Sequence, residues 1–329
     1  MFGNNMIIAN ATGCSSIYGG SINTPYNIPW TNSLFEDNAE YGLGIAIANK
    51  TLREKVKKLM TSHIDKVDSK TATLFNKWLN NYDDDKITND IYKKINYNKI
   101  AFLKPFKDYI KNNSVWIIGG DGFAYDIGFS GIDHVLSSNE NINILILDTE
   151  VYSNTGGQSS KSSNIGSIAS FTQNGKTTYK KDLAKIALAY PHVYVATTNI
   201  GYNKSQYLKV LTEAKNYNGP SIIIAYSPCI EHGIIDGMEN SLTNAHLATL
   251  CGYFPIFRYN PNTKEFILDS KDIDFTLYGK FLKTQNRYAR LANIDKATAK
   301  DLLNKNQKWA KERYNYYLSL ERKENDKNE

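Results

Sequence analysis

The sequence has few cysteines, and none of them are spaced to staple or ligate on their own. Only Cys14, Cys229 and Cys251 occur in 329 residues. An odd, sparse set argues against a disulfide scaffold and for a reducing compartment. No pair has CxxC spacing, so the chain alone carries no recognisable zinc or iron–sulfur motif. By count alone, each cysteine reads as a small buried hydrophobe. Also missing is any run of about 18 apolar residues, so no transmembrane helix is read. The opening residues, MFGNNMIIANATGCSS, lack a basic n-region and an apolar h-region and do not read as a secretory signal. They read as the middle of a fold, a short strand entered with no lead-in, and a natural start further upstream is expected. No internal repeat is visible. The net charge of +6 does not collect into a basic patch interleaved with aromatics, so no nucleic-acid face is read. Its lysines are spread through stretches such as REKVKKLM, the pattern of a solvated surface. A docking face for an acidic redox partner is the weaker alternative.

What is present suits a large core. Hydrophobic residues make up 41%, and the length fits one large or two ordinary domains. Residues 1–45 are rich in Gly, Ser, Asn and Pro and read as ordered loops. Residues 46–112 change to helical spacing of apolar residues, broken at NNYDDDKITND, and read as a helical insertion. From 113 to 261 short apolar runs alternate with amphipathic stretches. SVWIIGG, NINILILDT, HVYVATT and PSIIIAYSP read as buried strands, and IGFSGIDHVLSS, KKDLAKIALAY and SQYLKVLTEAKNY as helices. This order predicts an α/β fold, a mostly parallel sheet with helices on both faces. Residues 262–329 read as a helical tail. Ligands of such sheets bind at the carboxyl ends of the strands, so the loops after WIIGG, ILILDT and IIIAYSP are the informative ones.

The first of these is Gly119-Gly120-Asp121-Gly122. Glycines after a strand let the backbone approach a phosphate, and a carboxylate there can hold the metal that neutralises a diphosphate. Taken alone, an ordinary tight turn with Asp121 as helix N-cap is the better reading. The second loop, Asp148-Thr149-Glu150-Val151-Tyr152-Ser153-Asn154-Thr155-Gly156-Gly157-Gln158, follows the next strand. Asp121 and Thr149, 28 positions apart, are then placed to share one cation, and magnesium suits a carboxylate, a hydroxyl and a carbonyl.

GDG followed by a polar loop at this distance resembles the diphosphate-binding motif of thiamine-diphosphate enzymes. The fuller form, GDGFAYDIGFSGIDHVL and ILDTEVYSNTGGQSSK, resembles the C-terminal cofactor domain of pyruvate:ferredoxin (flavodoxin) oxidoreductases. The likeness extends through IANATGCSS, NSLFEDNAEYG, SPCIEHG and TQNRYARL. It implies that Asp121, the Thr149 side chain and the Val151 main-chain oxygen ligate magnesium. It implies that Gly120, Asp121, Gly122 and Phe123, with Thr149, Glu150, Val151, Tyr152, Ser153 and Asn154, line the diphosphate and thiazolium. Asn154 would stand near the reactive carbon, and Thr12 would contact the cofactor. Position 123 is usually Trp in that family and is Phe here, which keeps an aromatic wall and loses an N–H donor.

The resemblance also makes Cys14 and Cys229 two of four thiolates of a 4Fe–4S cluster, the other two coming from a CxxC pair upstream of this sequence. The chain alone is then expected to hold that cluster poorly. Cys251 matches no motif and stays a buried structural cysteine. His134 is expected to pack or cap. His232, close to Cys229, is more often structural than a second shell to the cluster. Glu36, Asp37 and Glu40 are expected to start a helix and pack.

The implied activity is oxidative decarboxylation of pyruvate to acetyl-CoA, with coenzyme A as co-substrate and electrons passed to ferredoxin or flavodoxin. The activating Glu and the Arg that binds the substrate carboxylate would lie in other domains or subunits of the same enzyme, with a homodimer expected when complete. The expected compartment is the cytoplasm, or an anaerobic organelle in a eukaryote. Two other readings stand beside this one: the equivalent part of an enzyme for another 2-oxo acid, and a non-catalytic degenerate partner.

Overall fold

The computed structural model describes residues 2–18 and 30–328. Eight strands form one sheet in the order β2-β1-β3-β4-β6-β5-β7-β8. They are β1 Met6–Ala11, β2 Trp30–Ser33, β3 Ser114–Gly119, β4 Ile142–Asp148, β5 Tyr194–Thr198, β6 Pro220–Tyr226, β7 Phe257–Asn260 and β8 Glu265–Leu268. Pairings from β2 across to β5 are parallel, and those of β5 with β7 and β7 with β8 are antiparallel.

The apolar runs are continuous because both faces are covered. On β3, Val115 and Ile117 enter one core, while Trp116 and Ile118 enter the core on the opposite face. On β6, Ile222 and Ile224 face one way and Ile223 the other, the period of two that a strand imposes. Helix α1, Cys14–Tyr18, follows β1, and α2, Asn38–His63, packs across β1 and β3. Then come α3 Ser69–Asn80 and α4 Asp85–Lys94, capped by the side chains of Asp68 and Asp84. With the end of α2 they enclose a separate core of Val56, Met60, Phe75, Trp78, Ile91 and Leu103. Trp78 is fully buried and its indole N–H donates to the Ile110 carbonyl at 2.8 Å.

The chain continues through α5 Asp121–Ala124, α6 Phe129–Leu136, α7 Leu183–Ala187, α8 Lys204–Asn216, α9 Ser241–Leu250, α10 Tyr278–Lys283, α11 Asn286–Ile294 and α12 Lys296–Asn328.

Three segments differ from the expectation. The stretch 1–45 holds the short opening strand that was expected, β1, but also β2 and the first turns of α2 where loops were expected. Its glycines are not all loop residues. A Cβ on Gly42 would stand 2.4 Å from Ile117 Cγ1, so glycine lets α2 lie directly on β3. Residues 262–329 are not helical throughout, because β8 completes an antiparallel hairpin with β7. KKDLAKIALAY forms only the short α7, with its lysine pair preceding the helix. Asp37 immediately precedes α2 and Glu40 lies in its first turn against Gly131 of α6. His134 is exposed in the last turn of α6.

Candidate active site

Strands β1, β3, β4 and β6 are consecutive neighbours in the sheet. The loops that leave their carboxyl ends therefore stand side by side. Between β1 and β3 the chain order also reverses direction across the sheet, the place where such folds bind ligands. The four loops enclose a cavity of about 800 Å³. Thr12 and Cys14 come to it from β1, Gly120 to Phe123 from β3, Thr149 and 151–154 from β4, and Ser227 to Ile230 from β6. Among the described lining residues there is no Lys, Arg or Glu, and Asp121 supplies the one carboxylate.

Asp121 is 3% exposed. Its Oδ2 accepts from the Ser160 hydroxyl at 2.5 Å, and its Oδ1 accepts from the Thr149 N–H at 3.2 Å. The Thr149 hydroxyl stands 3.2 Å from Asp121 Oδ1 and 3.1 Å from the Val151 carbonyl oxygen. Neighbouring oxygens in an octahedral shell with Mg–O bonds of about 2.0–2.1 Å lie about 3 Å apart. The Thr149 hydroxyl thus already stands at the spacing of an adjacent magnesium ligand from both the Asp121 carboxylate and the Val151 carbonyl. Burial, with the nearby Asp148 charge, pushes the Asp121 carboxyl up to about 8. A diphosphate in a cavity with no basic lining residue would need a cation. The residues fit magnesium and a diphosphate together. No group of three or more His, Cys, Asp or Glu side chains suited to a metal occurs among the described residues. The oxygen set here contains only one such residue.

Behind Thr149 lies a buried charge network that sequence reasoning missed. Lys180 Nζ donates to Asp148 Oδ2 at 2.7 Å and to Glu150 Oε1 at 2.8 Å. Tyr125 and Ser162 hydroxyls also bond Asp148. Arg287 donates to Glu150 Oε2 at 2.7 Å and the Tyr253 hydroxyl to the same atom at 2.5 Å. Burial works against the Glu150 charge, but Lys180 and Arg287 outweigh it and hold the carboxyl below its usual range. Burial also works against the Lys180 ammonium, and Asp148 and Glu150 more than restore it. The Glu150 side chain, expected among the cofactor contacts, therefore points away from the cavity into this network. Its backbone has φ of +57°, a conformation costing an L-residue roughly 1–3 kcal/mol.

The remaining site residues gather at the cavity mouth. Tyr152 N–H donates to the Gln158 carbonyl, and Gly157 N–H back to the Tyr152 carbonyl, both at 2.9 Å. They close the SNTGG turn. Gly157 has φ of +76°, and a Cβ there would stand 2.5 Å from Glu231 Oε2, so the turn needs glycine. The turn holds Asn154 exposed, with its Oδ1 4.0 Å from the Cys14 sulfur. Ser153 Oγ is 3.3 Å from Cys14 Sγ and also bonds Cys229. The two cysteines, remote in sequence, thus meet on one serine, and the described residues offer only these two thiols there, short of the four a cluster needs. The Thr12 hydroxyl donates to the Ser33 carbonyl at 2.6 Å, joining the ends of β1 and β2. Phe123 is 1% exposed, its ring packed against Gly119 beside Ala11. His232 is fully buried. Its Nε2–H donates to the Thr149 carbonyl at 2.6 Å, which leaves Nδ1 to accept the Cys229 N–H at 3.5 Å. Burial, then the Arg287 charge, lower it to about 3, so it stays neutral.

All three cysteines are free, with Cys14 exposed, Cys229 half-buried and Cys251 buried. Burial pushes Cys229 up and Cys251 further, to about 12. Since the thiolate is the nucleophile, a buried thiol raised this far is mostly protonated and unreactive near neutral pH. Iodoacetamide at pH 8 is expected to label Cys14 first and Cys229 more slowly. It should reach Cys251 only after denaturation. Peptide mass mapping over time checks the order.

Residues 103–225 match the family described as thiamine pyrophosphate enzyme, C-terminal TPP binding domain. The class defined by the sheet and its crevice is accordingly a thiamine-diphosphate-binding fold. Within it, the chain is homologous over nearly its whole length to pyruvate:ferredoxin and pyruvate:flavodoxin oxidoreductases. It is 42% identical to the pyruvate:ferredoxin oxidoreductase of Moorella thermoacetica over 97% of this chain and 30% of that protein. It is 40% identical to the pyruvate-flavodoxin oxidoreductase of Klebsiella pneumoniae over 97% of this chain and 29% of that one. It is 44% identical to the mitochondrial pyruvate dehydrogenase [NADP(+)] of Euglena gracilis over 88% of this chain and 17% of that protein. The chain thus spans less than a third of the length of these relatives. A solved 2-oxoglutarate:ferredoxin oxidoreductase from Magnetococcus marinus aligns with 75% of this chain and 60% of its own, at 16% identity and a TM-score of 0.47. No helix among the described residues is long and apolar enough to cross a membrane.

Proposed function

We propose that this chain is the thiamine-diphosphate- and magnesium-binding part of an enzyme that oxidatively decarboxylates pyruvate to acetyl-CoA and hands electrons to ferredoxin or flavodoxin. The observation that carries the proposal is the oxygen set of Asp121, Thr149 and Val151 on the wall of a cavity whose described lining has no basic residue. When bound, thiamine diphosphate supplies the carbon nucleophile and electron sink that 2-oxo acid decarboxylation requires. This chain's residues do the rest of the local work. Asp121 and Thr149 hold the cation that neutralises the diphosphate, and the Gly120 turn lets backbone approach it. Asn154 presents a side-chain amide at the mouth, where it can hydrogen-bond a substrate oxygen. Cys14 and Cys229 offer two cluster thiolates, and the other two come from elsewhere in the enzyme. The remaining domains also supply the acid that activates the cofactor and the Arg for the substrate carboxylate.

The names of the three relatives share pyruvate and differ in acceptor, among ferredoxin, flavodoxin and NADP(+). This supports pyruvate over another 2-oxo acid and ties the acceptor to parts outside this chain. The test is anaerobic, coenzyme-A-dependent reduction of a viologen dye by the assembled enzyme, with pyruvate and 2-oxoglutarate compared. Turnover is expected with pyruvate, and turnover with 2-oxoglutarate alone would contradict the proposal. Cys14→Ser and Cys229→Ser are each expected to remove one 4Fe–4S signal from the enzyme's electron paramagnetic resonance spectrum. Cys251→Ser should leave every signal in place.

A further inference from the structure

We infer that Glu150 is a positioning residue for the metal site, acting through its own backbone and not through its carboxylate. The inference rests on the magnesium reading above. The Val151 carbonyl turns back to within 3.1 Å of the Thr149 hydroxyl directly after a residue in the left-handed region, Glu150 at φ +57°. A non-glycine residue holds that conformation only where its surroundings over-determine it.

Here they do so from behind the site. Oε1 of Glu150 takes Lys180 at 2.8 Å and the Asn164 amide at 3.1 Å, and Oε2 takes Arg287 at 2.7 Å and Tyr253 at 2.5 Å. Its own carbonyl accepts the Ser163 hydroxyl at 2.6 Å. Lys180 also grips Asp148, so one ammonium fixes the residues on both sides of Thr149. The left-handed turn at Glu150 therefore aims the two ligand oxygens that Thr149 and Val151 contribute, and the network offsets the strain of a non-glycine residue there while its carboxylates stay out of the cavity.

A pair of substitutions separates this role from ordinary structural support. Glu150→Ala and Glu150→Gly lose the same four side-chain contacts, but only glycine adopts the left-handed conformation without steric cost. In the assembled enzyme with thiamine diphosphate, Mn²⁺ affinity read by electron paramagnetic resonance is expected to fall about 10–100-fold for Glu150→Ala, the usual effect of losing an outer support of a metal ligand. Glu150→Gly is expected to retain most of that affinity. Glu150→Gln, which keeps volume and part of the hydrogen bonding, is expected to fall between and guards against loss of the fold. A glycine variant as weak as the alanine variant would overturn the inference. Asp121→Ala is the control for the reading beneath it. If Asp121→Ala loses Mn²⁺ but Ala and Gly at 150 behave alike, only the positioning role fails. If Asp121→Ala binds Mn²⁺ normally, the metal assignment fails and the inference with it.

Discussion

Asp121→Asn is expected to do two opposite things. It should weaken magnesium-dependent thiamine diphosphate binding by more than about 100-fold, since even outer-shell partners of a metal are worth 10–100-fold. It should also stabilise the metal-free protein at pH 8. The sign follows from burial. The Asp121 carboxyl is pushed up to about 8 in the folded chain by burial and by Asp148, against about 3.9 in an unfolded one. The folded state therefore binds the proton more tightly, and this contribution to stability is full below pH 4 and lost as pH rises to 8. Asparagine removes that loss, and each kcal/mol recovered raises the melting temperature by about 2 °C in a chain of this size. Calorimetric titration with thiamine diphosphate and magnesium, beside melting curves at pH 5 and pH 8, measures both halves. Unchanged cofactor affinity would remove Asp121 from the metal site. An unchanged pH 8 melting temperature would show that its charge is already compensated without metal.

Lys180→Met should be the most destabilising single change near the site. It leaves Asp148 and Glu150, both buried at 1% exposure or less, without their shared cation. Breaking a buried pair in this way costs about 3–5 kcal/mol. Lys180→Arg should lose less, because it keeps the charge in a cramped position. Adding Glu150→Gln to Lys180→Met should recover part of the loss by removing one of the two stranded charges. Urea unfolding of the metal-free chain reads all three. A loss under 1 kcal/mol for Lys180→Met would mean that water or Arg287 already serves both carboxylates.

How much of this was legible in the sequence depended on how local each signal was. The runs SVWIIGG, NINILILDT, HVYVATT and PSIIIAYSP carry their own evidence of two-sided burial, and each became a parallel strand. GDG and the Thr149 loop were legible because both lie at strand ends, one strand–helix–strand passage apart. The network behind them was not. Lys180 sits in a KK pair that resembles any solvated lysine in this lysine-rich chain, and Arg287 lies 137 positions from its partner Glu150. Nothing local distinguishes a lysine that will be buried between two carboxylates. Ser160, which holds Asp121, was hidden in a serine-rich loop where several serines look equivalent. The role of Glu150 was misplaced for a related reason. Membership of the loop could be read from the sequence, but the direction of its side chain depends on a positive φ that no pattern announces. The hairpin of β7 and β8 was missed because a short edge pair leaves little periodicity, and the polar turn between them reads as the start of the tail.

On the proposed function, Asp121, Thr149 and Val151 together hold the magnesium of a thiamine diphosphate site. A crystal structure of the enzyme with magnesium and thiamine diphosphate tests it most directly. A metal is expected within about 2.1 Å of Asp121 Oδ1, Thr149 Oγ1 and the Val151 carbonyl oxygen, with diphosphate oxygens and water completing the shell. A metal bound to the diphosphate but touching none of these three atoms would contradict it.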